Sequence, residues 1–165
     1  ALSSAASDVY KRQLPVSPSS QLLFYRKDLF ENVAIRRMYR EKYKQELKIP
    51  ETFEEYNRIA AFFTEGNGFG TDVRYGANLT LGNTGVASTE FLTRFFSHKD
   101  NLYSDEGKII INNDVGRKAL EELVEAQKYA PGKTARWWTT AAKEFANGNV
   151  AMMINFSNYL SLIHI

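Results

Sequence analysis

The sequence has 165 residues, of which 21 are Lys or Arg and 19 are Asp or Glu, for a net charge of +2. So small a balance gives no basis for binding nucleic acid or an anionic membrane surface, and the absence of Cys removes disulfides, thiolate nucleophiles and Cys-ligated metals. With 44% hydrophobic and 13% aromatic residues, the chain is too apolar for disorder and long enough to bury one core, and no apolar run approaches the ~20 residues of a membrane-spanning helix.

The two ends share one DNA element. Asp8 to Gln13 can be encoded by GAT GTG TAT AAG AGA CAG, and the reverse complement of that string reads as Leu160 to Ile165. The element resembles a transposase adapter used in short-read sequencing, whose upstream part also yields Ser3 to Ser7. We therefore expect residues 1–13 and 160–165 to be translated adapter rather than native protein. Residues 14–159 are then a near-neutral segment with His98 as its single histidine. A missing signal peptide or lipid anchor carries no information for such a segment.

Gln21 to Tyr25 is a short apolar run after Pro15 and Pro18, and it predicts a strand. From Leu29 to Leu47, apolar residues at 29, 30, 33, 38, 39, 43 and 47 stand among charges and predict an amphipathic helix. After Pro50, Thr52-Phe53-Glu54-Glu55 predicts a capping box in which Thr52 accepts from the Glu55 amide and Glu55 reaches back to the Thr52 amide. The helix that follows carries Phe53, Tyr56, Ile59, Ala60 and Phe63 on one face. Gly66, Gly68 and Gly70 mark a loop without the preceding strand and adjacent helix of a dinucleotide-binding turn.

Val73 to Thr80 reads as a strand, and Gly82 to Gly85 as a turn before a helix over 87–96. Ser104 to Gly107 is a second turn, ahead of a predicted strand over 108–111. Asn113 or Asp114 then caps a helix with Val115, Leu120, Leu123, Val124 and Gln127 on successive turns. Trp138 to Asn147 predicts a helix ended by Gly148, and Val150 to Ile154 is a wholly apolar strand. Strands separated by helices fit an α/β layer with a largely parallel sheet, in which ligands bind beyond the carboxyl ends of strands. On that ground the site candidates are Gly82 to Ser88 and Asn155 to Tyr159. The adjacent acidic pairs Glu54-Glu55 and Glu121-Glu122 point in different directions on their helices and read as capping or solvated residues rather than a glycosidase pair. His98 reads as a surface residue at a helix end.

Several blocks, in order, resemble the maltodextrin-binding type of bacterial extracellular solute-binding protein. Leu22 to Phe30 resembles the hinge-crossing strand and the helix start after it, although Leu22 and Arg26 depart from the family pattern. Pro50-Glu51-Thr52-Phe53-Glu54-Glu55 resembles its "Pro-x-Thr-Trp-x-Glu" helix start, with Phe53 for Trp. Lys108 to Leu123 resembles the strand and helix after an acidic Gly turn. Glu144 to Asn155 resembles its "Phe-x-x-Gly-x-x-Ala-Met" block.

The resemblance implies a type II periplasmic-binding-protein-like clamp, with two α/β lobes closing on a ligand about a hinge. Residues 14–28 would be the hinge-crossing segment and 29–159 part of the second lobe. It further implies the substrate-binding subunit of an ABC importer, without catalysis, cofactor or metal. Such a subunit captures a mono- or oligosaccharide and delivers it to the permease's transmembrane subunits, as a monomer when full length. It works outside the cytoplasm, in the periplasm or lipid-anchored at the outer face of the membrane. A sensor ectodomain sharing the clamp and a carbohydrate-active enzyme are the alternatives.

Carried over by position, the ligand-binding residues are Trp138, then Asn155, Ser157, Asn158 and Tyr159 after the last strand, and Asn83, Thr84 and Gly85 in the second contact loop. Ser19 joins them at the hinge approach. Aromatic faces suit the C–H face of a pyranose, and amides and hydroxyls suit its hydroxyl groups. The plainer alternatives are a core role for either Trp, an ordinary helix cap at Asn83 and a simple linker at Ser19.

Overall fold

The computed structural model describes residues 19–132 and 137–162. The expected adapter peptide 1–13, most of the hinge approach before Ser19, and residues 163–165 lie outside that range. The elements are β1 (Gln21–Tyr25), α1 (Lys27–Glu31), α2 (Val33–Tyr43), α3 (Phe53–Glu65), β2 (Tyr75–Asn78), α4 (Thr84–Ser97), α5 (Asp114–Gln127), α6 (Trp138–Ala146) and β3 (Val150–Phe156). Short 3-10 turns span Asn67–Gly70 and Ser157–Leu162.

The sheet has three strands in the order β1-β3-β2. β2 runs parallel to β3, with Ala77 opposite Met152, while β1 runs antiparallel to it, with Leu23 opposite Ile154. The expectation of a largely parallel sheet is therefore corrected to a mixed one. The parallel pair needs a crossover, and α4, α5 and α6 supply it.

Each face of the sheet is covered by helices. On one, Leu23, Tyr25, Ala77, Met152 and Ile154 pack with Leu29, Phe30, Ile35, Tyr39, Ile59, Phe62 and Phe63 from α1, α2 and α3. On the other, Phe24 and Met153 meet Ala142 and Phe145 of α6, with the Phe24 and Phe145 rings edge to face at 6.4 Å. A smaller cluster joins Leu79 to Leu123, Ala126 and Ala130 beside Phe91. β3 is apolar from Val150 to Ile154 because both its faces are covered there.

Several expectations are changed in detail. The single helix over 29–47 is broken at Asn32, whose extended backbone ends α1 and whose side chain accepts from the amides of Ala34 and Ile35 to start α2. An Asn that can cap competes with continuous helix. The capping box is shifted: Thr52 Oγ1 accepts from the Glu55 amide at 3.2 Å, while the Glu55 carboxylate accepts chiefly from the Glu51 amide at 2.9 Å and only weakly from that of Thr52. The predicted strand over 108–111 reduces to one antiparallel bridge between Tyr103 and Ile109. Ile109 stands 65% exposed, so no sheet face rewards extension there.

α5 also faces otherwise than predicted. It buries Gly116, Ala119, Leu123 and Ala126, and leaves Leu120 and Val124 more than half exposed. Its inner side meets α3 and α4 closely, which favours small residues there over branched ones.

Gly148 adopts φ +84°, as the left-handed residue after α6 requires. Gly76 is needed for space: a Cβ there would stand 1.9 Å from the Ala60 carbonyl oxygen, where β2 lies against α3. Gly76→Ala is therefore expected to destabilise the chain by about 2–3 kcal/mol, since the obstruction is backbone and cannot rotate away. Urea unfolding followed by circular dichroism measures this; an unchanged midpoint would contradict the close packing of α3 on β2.

Candidate functional site

Because β2 and β3 are parallel, their carboxyl ends open at the same end of the sheet. β1 begins at that end, with Gln21 opposite Phe156. Three of the predicted segments therefore converge there: the approach to β1, the turn after β2 and the residues after β3.

Asn155 is fully buried. Its amide nitrogen donates to the Trp138 carbonyl at 3.0 Å, and its oxygen accepts from the Phe156 amide at 2.8 Å. It thereby ties the end of β3 to the start of α6. Trp138, half-buried, stands edge to face with Phe156 at 5.0 Å and lies 4.6 Å from the ring of Trp137, which is 45% exposed. Three aromatic rings thus form one edge of this end of the sheet.

Beside them, Ser157 and Ser20 hold each other. The Ser157 amide donates to the Ser20 carbonyl at 2.8 Å, and the Ser157 hydroxyl accepts from the Ser20 amide at 3.2 Å. Ser19 is exposed next to this clasp and Asn158 is exposed beyond it. Tyr159 is half-buried against the Phe145 and Met153 cluster, so part of its ring serves the core.

On the third side, Asn83 and Gly85 are exposed at the start of α4. Asn83 Oδ1 accepts from the Val86 amide at 3.0 Å, the ordinary helix cap weighed from the sequence. Thr84 opens α4, and its side chain lies outside the described part. Thr93, further along α4, hydrogen-bonds Gln21 Oε1, so the helix is fastened to the first residue of β1.

Sequence reasoning missed Gln21, Thr93 and the buried pair Glu90–Arg94, whose side chains are 2.9 Å apart. A polar residue at every third or fourth position of a helix signals a polar stripe, and nothing in the spacing says that this stripe faces inward. Burial pushes the Glu90 carboxyl above its usual range, with the Arg94 charge and the Thr80 amide pulling the other way. His98 is also corrected. It has a carboxylate partner, with Nε2 3.0 Å from Glu122 Oε2, and so Glu122 is not simply solvated. These two line a recess of about 290 Å³ with Leu23, Phe53, Tyr56 and Ile154, on the α3 side of the sheet and apart from the converging segments.

Residues 5–163 match the family described as bacterial extracellular solute-binding protein. The chain belongs to that family. Solved structures agree on the fold, that of the type II periplasmic binding proteins. An ABC transporter solute-binding protein from Agrobacterium radiobacter K84, in complex with ribitol, superposes with a TM-score of 0.67 at 21% identity, over 86% of this chain and 32% of that one. Maltose-bound MalE3 of T. maritima gives 0.65 at 22%, over 89% and 34%. A solute-binding protein from Agrobacterium vitis S4 with bound D-mannitol gives 0.62 at 22%, over 88% and 32%. The chain thus spans about one third of the length of these neighbours. No curated protein matches it in sequence. The family is one of extracellular solute-binding proteins, and no helix among the described residues is long and apolar enough to cross a membrane.

Asn155 is the joint on which this end of the sheet rests. Asn155→Leu keeps the volume but leaves the Trp138 carbonyl and the Phe156 amide without their partner, at about 2 kcal/mol. The expected result is a lower unfolding midpoint together with a shifted tryptophan emission. A lower midpoint with unchanged emission would break the link between Asn155 and the Trp pair.

Proposed function

We propose that this chain forms part of the ligand-binding component of an ABC importer, and that its ligand is a carbohydrate or a sugar alcohol. The observation that carries the reading is the meeting of an aromatic edge, Trp137, Trp138 and Phe156, with the Ser20–Ser157 clasp at the carboxyl end of β3. A flat apolar surface beside hydroxyls and amides is what a polyhydroxylated ligand needs, because its C–H faces shed water while its hydroxyls must keep their hydrogen bonds. The solved neighbours bound to ribitol, maltose and D-mannitol support that class of ligand.

In this reading Trp138, Ser157, Asn158 and Ser19 border the ligand with exposed Asn83 and Gly85, and Thr84 between them in sequence, on the other side, Tyr159 contributes its free edge, and Asn155 works from behind by holding Trp138. Residues 14–28 cross the hinge and 29–159 belong to one lobe. A second lobe closes over this face, and the closed form docks on the permease's transmembrane subunits. The protein acts as a monomer outside the cytoplasm, periplasmic or lipid-anchored, and releases its ligand chemically unchanged.

Calorimetry and thermal unfolding of a full-length protein carrying this chain, with maltose, ribitol and D-mannitol as probes, test the reading. At least one probe is expected to raise Tm and to be recovered intact, and Trp138→Ala is expected to weaken its binding by about tenfold or more. Turnover of the probe, or indifference to all three and to other sugars, would overturn the proposal.

A further inference from the structure

Glu90 and Arg94 sit one turn apart on α4 and are both buried, Arg94 at 1% exposure. Arg94 Nη1 donates to Glu90 Oε2 at 2.9 Å and to the Glu90 carbonyl at 2.8 Å. The guanidinium also lies 4.6 Å over the ring of Phe53. Its Nε and Nη2 find no acceptor among the described residues. The other carboxylate oxygen, Glu90 Oε1, accepts from the backbone amide of Thr80 at 2.9 Å. Thr80 is buried and lies in the stretch between the end of β2 and the Asn83 cap.

As a stabilising device this pair is poor. Burying two charges with donors left open costs more than apolar side chains of the same size would, and such replacements are often neutral or stabilising. What apolar residues could not do is accept the Thr80 hydrogen bond. Leu79 and Leu81 also hold this stretch, through the cluster with Leu123 and Phe91. Apolar contacts of that kind tolerate sliding, whereas a charge-assisted hydrogen bond fixes a direction.

We infer that Glu90 is a positioning residue: its bond to the Thr80 amide fixes where the exposed loop of Asn83 and Gly85 stands over the end of the sheet. That the loop's placement matters for a ligand rests on the function proposed above.

Two double variants of this chain isolate the acceptor. Glu90→Gln with Arg94→Met removes both charges but leaves an oxygen for Thr80. Glu90→Leu with Arg94→Met removes that oxygen as well, at similar volume. Both are expected to fold, since neither buries an unpaired charge, with the Leu variant at the lower urea midpoint because the buried Thr80 amide loses its acceptor. In the Leu variant alone, hydrogen exchange at the Thr80 amide is expected to quicken by about tenfold or more, and the ¹⁵N resonances of Leu81 to Val86 to move. Equal exchange and equal loop resonances in the two variants would overturn the inference, leaving the pair a packing feature. Maltose, ribitol and D-mannitol titrated into full-length protein carrying each variant complete the test. A probe that binds the wild type should bind the Leu variant about tenfold more weakly and the Gln variant unchanged; equal weakening in both would also overturn it. Failure of the wild type to bind any probe counts against the proposed function instead, while the amide measurements decide on Glu90 by themselves.

Discussion

Because β3 is hydrogen-bonded along both edges and covered on both faces, its direction determines where every other segment ends. β2 lies parallel to it, so the chain must travel back through α4, α5 and α6 before β3 begins, and the turn after β2 comes to the same end as the residues after β3. β1 lies antiparallel, so its first residue joins that end too. Had β1 paired in parallel, Ser20 and Gln21 would stand at the opposite end, and neither the clasp with Ser157 nor the bond to Thr93 would exist. The strand is apolar because it is central, and the candidate site lies at its end, where its apolar run gives way to Asn155.

Two polar residues carry the change from core to surface at this end. Asn155 and Glu90 are both buried, and each spends its side chain on backbone: Asn155 on Trp138 and Phe156, Glu90 on Thr80. Buried side-chain acceptors of this kind serve where regular ladders stop and backbone groups would otherwise be left unpaired. They also define geometry more sharply than apolar contacts do. The exposed residues around them, Trp137, Ser19, Asn158, Asn83 and Gly85, stand on backbone that is held from beneath.

Much of this was legible in the sequence. β1, α3, α6 with Gly148, and β3 follow from apolar runs, a Thr cap and a glycine that permits the left-handed conformation, all local signals. Asn83 and Ser157 were candidates because their segments follow predicted strands, and Trp138 because of the resemblance to solute-binding proteins; the strand order that places them at one end came only with the structure. What local patterns could not carry was orientation. Leu120 and Val124 look like a helix's inner face, yet α5 buries Gly116, Ala119, Leu123 and Ala126 instead, and at Gly116 a Cβ would meet the Ile111 carbonyl oxygen. Glu90 and Arg94 look like an exposed i, i+4 ion pair, yet α4 turns them inward. His98 and Glu122 are 24 positions apart, and only the packing of α4 on α5 brings them together. Asn32 was one polar residue among many until its cap divided a helix.

The same distinction bears on how such a surface would recognise a sugar. A flexible aromatic edge would lose much of its contact energy in becoming ordered, at about 0.5–1.5 kcal/mol for each side chain immobilised. Trp138 avoids most of that cost, since its carbonyl is bonded to Asn155 and its ring is held edge-on by Phe156. Trp137 rests on Trp138 and remains open to solvent on the other side. The rigid ring therefore supplies a reference plane, while exposed Ser, Asn and Gly positions around it are free to differ without disturbing the core. On the proposed function, a lobe built in this way would keep its fold independent of its ligand, and changing the polar rim alone would change which polyol fits.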